Sequence, residues 1–243
     1  MKPRSHTLFH FTKSIDALKG ILKDGFFPRY SLEDFNWYNA ELGFIAYPMV
    51  CFCDIPLTRI DEHVDFYGEY GLGLTRKWAI SNGLNPLIYL SQATPISESL
   101  SRLLKNNTLG NGYYEGCIED INSIISYTKP VEGSALIGGI ATHKEFYQEN
   151  EWRYVPKAQG IRRWVNKDEY SNSVNLQQLN ETAKELGTLQ ISPNDIKYIF
   201  VKSDADIPGI IDFIQTELGG NTVNDTKLLL SRVISSESIN VDL

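Results

Sequence analysis

The sequence has 243 residues, 42% of them hydrophobic and 22% charged, with a formal net charge of −7. That composition supports a sizeable core and argues against wholesale disorder, and the acidic balance argues against nucleic-acid binding through bulk charge. The opening MKPRSHTLFHF lacks the apolar run of a signal peptide, and no stretch approaches the roughly 20 apolar residues of a membrane span, so a cytoplasmic location is expected.

His6–Thr12 (HTLFHFT) reads as a first strand. Ser14 caps a helix carrying Ile15, Leu18, Ile21 and Leu22, and Gly25 stops it. Phe26 to Phe44, rich in aromatics including Phe35, Trp37 and Tyr38, reads as a long irregular loop or lid. Pro48 precedes a second strand, Met49–Cys53, and Tyr70–Leu74 reads as a third, followed by a helix capped by Thr75. Leu87–Leu90 suggests a strand. Thr94–Pro95 opens a helix reaching about Lys105, and Cys117 to Ile125 has helical apolar spacing. Ala135–Ala141 and Trp152–Val155 suggest two more strands. Leu176, Leu179, Ala183 and Leu186 form one helical face ending at Gly187. Ile196–Val201 is a strong strand, Pro208 opens a helix through Ile214, and Lys227–Ile234 reads as a closing strand. Strands and helices mix without strict βαβ alternation. The expected class is α+β with mixed or antiparallel sheets and flanking helices, as a single domain over 1–243.

Few motifs carry chemistry. There is no GxSxG elbow, no P-loop and no HExxH. Cys51, Cys53 and Cys117 lack zinc spacing and read as reduced packing residues, with no metal expected. Gly71–Leu72–Gly73 suggests close strand packing rather than a nucleotide fingerprint. Strand alternation places His10 and Thr12 on one face, toward a cleft or solvent, and Phe9 and Phe11 on the core face. Tyr67, Tyr70 and Trp78 could stack on a planar heterocycle or fill a core. In Glu149–Asn150–Glu151–Trp152–Arg153–Tyr154, alternation places Glu149, Glu151 and Arg153 together. Two carboxylates beside an arginine suit an oxocarbenium-like transition state at a sugar, or a salt-bridged strand. Arg153, Lys157, Arg162, Arg163 and Lys167 follow one another without an intervening acid, as a phosphate-binding patch or a solvated loop would.

Five segments taken in order, HFTKSIDALKGILKDGF, PMVCFCDIPL, HVDFYGEYGLGLTRKWA, ENEWRYVP and ISPNDIKYIFV, resemble the AbiGi-type abortive-infection family of phage-resistance proteins. They fall within residues 7–202. The layout resembles, more distantly, the ADP-ribosyltransferase fold. There a His or Arg of the first strand contacts a ribose and a late strand carries the catalytic Glu. His10 and Glu151 match those elements, and Glu149 matches the first Glu of a Glu-x-Glu pattern. Cys51–Phe52–Cys53 stands where many members have Ser-Thr-Ser, which leaves the subtype open.

The resemblance implies a phage-defence toxin that uses NAD as substrate and transfers ADP-ribose to an RNA or protein acceptor. His10, Thr12, Tyr67, Tyr70 and Arg153 would bind NAD. Glu151 would stabilise the oxocarbenium ion, and Glu149 would orient or deprotonate the attacking nucleophile. Such a toxin needs a cognate antitoxin or regulatory protein. The alternatives are a non-catalytic partner or antitoxin of a toxin–antitoxin module, a role also attached to this family, and an NAD glycohydrolase or nuclease.

Overall fold

The computed structural model describes residues 6–37, 43–60, 64, 66–108, 117–137, 140–220 and 222–242. The elements in chain order are β1 (Thr7–Thr12), α1 (Ile15–Asp24), β2 (Arg29–Asp34), β3 (Phe44–Cys53), β4 (Tyr70–Thr75), α2 (Arg76–Ser81), β5 (Asn85–Pro86), β6 (Ile88–Leu90), α3 (Pro95–Thr108) and α4 (Cys117–Ile125). They continue with β7 (Thr128–Pro130), β8 (Glu132–Ile137), β9 (Ile140–Glu145), β10 (Glu151–Tyr154), β11 (Val165–Asn166), α5 (Lys167–Ser171) and α6 (Ser173–Gly187). The last are β12 (Ile196–Val201), α7 (Ile207–Thr216), α8 (Val223–Leu230), β13 (Val233–Ser235) and α9 (Ser236–Asp242). The class is α+β, as expected. The chain gathers into two compact units, one of residues 1–27, 51–84 and 188–243, the other of 28–50 and 85–187.

In the first unit β1 runs antiparallel to β4, from Thr7 opposite Thr75 to Thr12 opposite Tyr70. On its other side Phe9 faces Cys53 at the end of β3. β12 adds antiparallel to β4, and β13 adds parallel to β12, so the sheet is mixed. Phe9 and Phe11 enter a core with Cys53, Ile55, Ile60, Val64, Phe200 and Ile239, as alternation predicts. α1 forms where Ser14 accepts from the Ala17 N–H, and it ends at Gly25, whose φ of 88° is a conformation glycine adopts freely. The two glycines of β4 allow close packing. A Cβ on Gly71 would stand 2.6 Å from the His10 carbonyl oxygen, and one on Gly73 would stand 2.9 Å from the Tyr198 ring.

In the second unit β2 pairs antiparallel with β3, from Arg29 opposite Met49 to Asp34 opposite Phe44, and β11 pairs with β3 at Ala46 and Ile45. β5 pairs with β10, β6 with β7 in parallel, and β8 with β9. Tyr30, Ala46, Ile161, Val165 and Ala183 form its buried cluster, with Leu176 and Leu179 packed against it.

Four expectations are corrected. The stretch from Phe26 to Phe44 holds a six-residue strand, β2, rather than only loop; Tyr38 within it lies outside the described residues. β3 begins at Phe44 and runs through Pro48, which sits opposite Tyr30 and removes one ladder donor without ending the strand. Ala135–Ala141 is not one strand: β8 and β9 are antiparallel partners in register from Glu132 opposite Glu145 to Ile137 opposite Ile140. Gly138 and Gly139 between them lie outside the described residues. Lys227–Leu230 is helical. Thr222 accepts from the Asp225 N–H while the Asp225 carboxylate accepts from the Thr222 N–H, and this capping box outweighs a leucine run that also suits a strand. Among the described residues no helix is long and apolar enough to cross a membrane.

Candidate functional site

Glu149, Glu151 and Arg153 lie together in the second unit. Alternation along β10 buries Glu151 and Arg153 and leaves Trp152 and Tyr154 half-buried. Glu149 arrives by another route. It ends a 3-10 turn, Phe146–Glu149, and Asn150 then adopts the left-handed conformation with φ of 48°. Asn is among the few non-glycine residues that tolerate this region. The turn brings both glutamates inward, at 3% and 5% exposure, beside a fully buried Arg153.

Every charge in the cluster is met. Arg153 donates from Nε (3.0 Å) and Nη2 (2.9 Å) to Glu151 Oε1. Its two Nη groups clasp Glu33 of β2 at 3.0 and 2.7 Å, and Nη1 also donates to the Ser126 carbonyl at 2.7 Å. Lys129 Nζ donates to Glu151 Oε2 at 2.8 Å and to Glu149 Oε2 at 3.1 Å, and Lys144 Nζ lies 2.5 Å from Glu149 Oε1. Lys129 also lies over the Phe146 ring, 4.8 Å from its centroid. Tyr89 accepts the Glu151 N–H at 2.8 Å, and burial, the largest influence, pushes its phenol up to about 12. Three carboxylates thus face three cations. Such a buried network is stable only while complete, because removing one partner strands the others away from water.

Chemically, the arrangement holds Glu151 with both oxygens engaged. An acid or nucleophile at a sugar needs an oxygen turned to the incoming group. Arg153 likewise spends its planar fork on Glu33 and Glu151. Glu33, Lys129, Lys144 and Tyr89 escape sequence reasoning, since they lie on other strands and no local spacing links them to Glu151.

The other residues expected to bind NAD, His10, Thr12, Tyr67 and Tyr70, lie in the first unit. The His10 ring donates from Nδ1 to the Cys51 carbonyl, 2.8 Å away. It packs edge-on to Phe26 at 5.0 Å and near Phe52 at 5.5 Å, so its face is an aromatic pocket rather than open solvent. Burial lowers its pKa below the ordinary range. Thr12 sits opposite Tyr70. The Tyr70 hydroxyl donates to Asp206 at 3.4 Å; burial first, then Asp206, raises its pKa. Tyr67 is 36% exposed with its ring 4.6 Å from that of Phe66. Trp78 is core: it is buried against Phe26 and Phe52, and its indole N–H donates to the Gln190 carbonyl at 2.9 Å. Cys53 is buried and Cys51 half-buried, neither in a disulfide, while the Cys117 side chain lies outside the described residues. Among the described residues no group of three or more His, Cys, Asp or Glu could hold a metal ion.

Comparison with known proteins adds two findings. A family model described as "Putative abortive phage resistance protein AbiGi, antitoxin" matches residues 24–202. A protein of Lactococcus lactis subsp. cremoris, described as abortive phage resistance protein AbiGi, is 30% identical over 250 residues, covering 89% of this chain and 99% of its own length. No solved structure matches the chain, so the likeness to ADP-ribosyltransferases rests on the sequence motifs alone.

Proposed function

The chain belongs to the AbiGi family of abortive phage resistance proteins, and from that premise we propose that it is the antitoxin of a toxin–antitoxin defence pair, a protein that binds its cognate toxin and restrains it without chemistry of its own. This departs from the toxin reading that the motifs suggest. The observation that carries it is the closed ion network at Glu151, in which the residue best placed for catalysis is committed to Arg153 and Lys129. The antitoxin description of the matching family supports the same reading.

The test is genetic. Expressed alone, the chain leaves growth unaffected. Expressed with its cognate toxin, it restores growth that the toxin alone arrests. A Glu151→Gln chain, compared at equal folded levels, protects as well as the parent does. Growth arrest by the chain itself, abolished by Glu151→Gln, overturns the reading.

A second reading keeps the enzyme. Glu149 and Glu151 do converge, since one lysine bonds both. Movement of Lys129 would then free a Glu-x-Glu pair for NAD, with ADP-ribose passed to RNA or protein. Incubation with adenylate-labelled NAD and cell lysate decides it: label that reaches macromolecules, and does so only with Glu151 intact, favours the transferase.

A further inference from the structure

A small cleft in the second unit stands apart from the ion network. Its floor is Tyr47, itself buried, with Tyr127, Asn122 and Ser123 on the walls and Lys157 and Arg163 at the mouth. About 20 Å³ of it is free, room for one or two water-sized groups rather than for a nucleobase or nicotinamide ring. Tyr127 is fixed by a hydrogen bond to the Val155 backbone. Arg163 donates to Ser123 Oγ at 3.3 Å and pairs with Glu119 at 3.2 Å, but that pair is exposed, at 44% and 63%, and an incoming carboxylate exchanges for it at little loss. Lys157 is exposed and makes no ion pair among the described residues. Next to these in the chain stand two exposed apolar side chains: Trp164, 41% exposed, beside Arg163, and Ile124, 44% exposed, beside Ser123.

We propose that this cleft is the toxin-docking site: an acidic side chain of the partner enters between Lys157 and Arg163, and an apolar neighbour of that side chain covers Trp164 and Ile124. The inference rests on the antitoxin reading. The free volume matches a carboxylate tip. The two cations at the mouth supply the complementary charge. Arg163, which lines the cleft, and the exposed Trp164 next to it in the chain are of the residue types that dominate protein–protein hot spots.

The experiment uses the full chain, the purified toxin and overlapping synthetic peptides that tile the toxin sequence. Lys157→Glu, Arg163→Glu and Trp164→Ala all lie on exposed positions, and circular dichroism confirms their folding. Each is expected to weaken toxin binding at least about tenfold and to lose protection in cells, while Lys202→Glu, on the first unit, binds as the parent does. The binding peptides should be acidic, and a Lys in place of their central acid should restore binding to Lys157→Glu. Toxin binding and protection unchanged in Lys157→Glu and Arg163→Glu overturn the docking site and leave the antitoxin reading standing. No toxin binding by the parent chain overturns both. Loss of binding to bulk cellular RNA, with toxin binding intact, overturns the docking site in favour of a nucleic-acid role.

Discussion

His10 and Arg153 both sit on strands between aromatic neighbours, and their surroundings differ in kind. Around His10 the partners are rings, Phe26 and Phe52, with one hydrogen bond to the Cys51 carbonyl. Burial favours the neutral imidazole, so the group loses its charge and needs no counterion. Arg153 cannot shed its proton in a protein. Its burial is possible only because Glu33 and Glu151 meet it, and Glu151 in turn requires Lys129. The first region is built by shape, the second by charge balance, and they should fail in different ways.

The largest effect is expected from Arg153→Met, which leaves Glu33 and Glu151 facing each other without their shared cation. A loss of about 3–5 kcal/mol in urea unfolding is expected, or failure to accumulate soluble protein. A loss below about 1 kcal/mol would mean that water enters the network and that the contrast with His10 is false. Gly71→Ala probes the other region by shape alone. The new Cβ meets the His10 carbonyl oxygen at 2.6 Å and the Phe11 ring at 2.7 Å, so about 1–3 kcal/mol of strain is expected by the same measurement.

Acidification sharpens the comparison. His10 titrates lower in the folded chain than its ordinary value of about 6.5, so the unfolded chain binds the proton first. Its contribution is therefore intact above pH ~6.5 and is lost as pH falls below that value. Unfolding midpoints measured between pH ~7 and ~5 should decline in the parent and decline less in His10→Gln, whose amide can still bond the Cys51 carbonyl. The smallest effect is expected from Ser14→Ala, which removes the cap of the helix after the His10 strand and costs about 1 kcal/mol.

Local signals carried much of this architecture. Ser14 and Gly25 delimit a helix, and the pairing of Phe9 and Phe11 against His10 gives the orientation of the first strand. Trp152 and Tyr154 against Glu151 and Arg153 do the same for β10. What the sequence hid is long-range. Glu33 reaches Arg153 across 120 residues, and Lys129 reaches Glu149 and Glu151 across 20 and 22. No periodicity encodes such pairings. β2 was hidden for a different reason: the alternation in Arg29–Asp34 is present, with Tyr30 buried between exposed Arg29 and Ser31, but the surrounding aromatics and Pro28 mask it. In Lys227–Leu230 the leucine run fits either periodicity, and only the Thr222–Asp225 reciprocal cap decides for helix.

The interleaving of the two units sets an order of birth. Everything the charge-balanced unit needs has emerged once residue 187 is made, whereas the aromatic unit waits for residues 188–243, which bring β12 to the open edge of β4. During synthesis, then, β1 and β4 stand as an unfinished sheet while the later-starting unit can already close. Protease protection of ribosome-bound chains should rise first over residues 85–187. If the proposed docking holds, the nascent chain would offer the Lys157–Arg163 cleft to a partner before the rest of the molecule is complete.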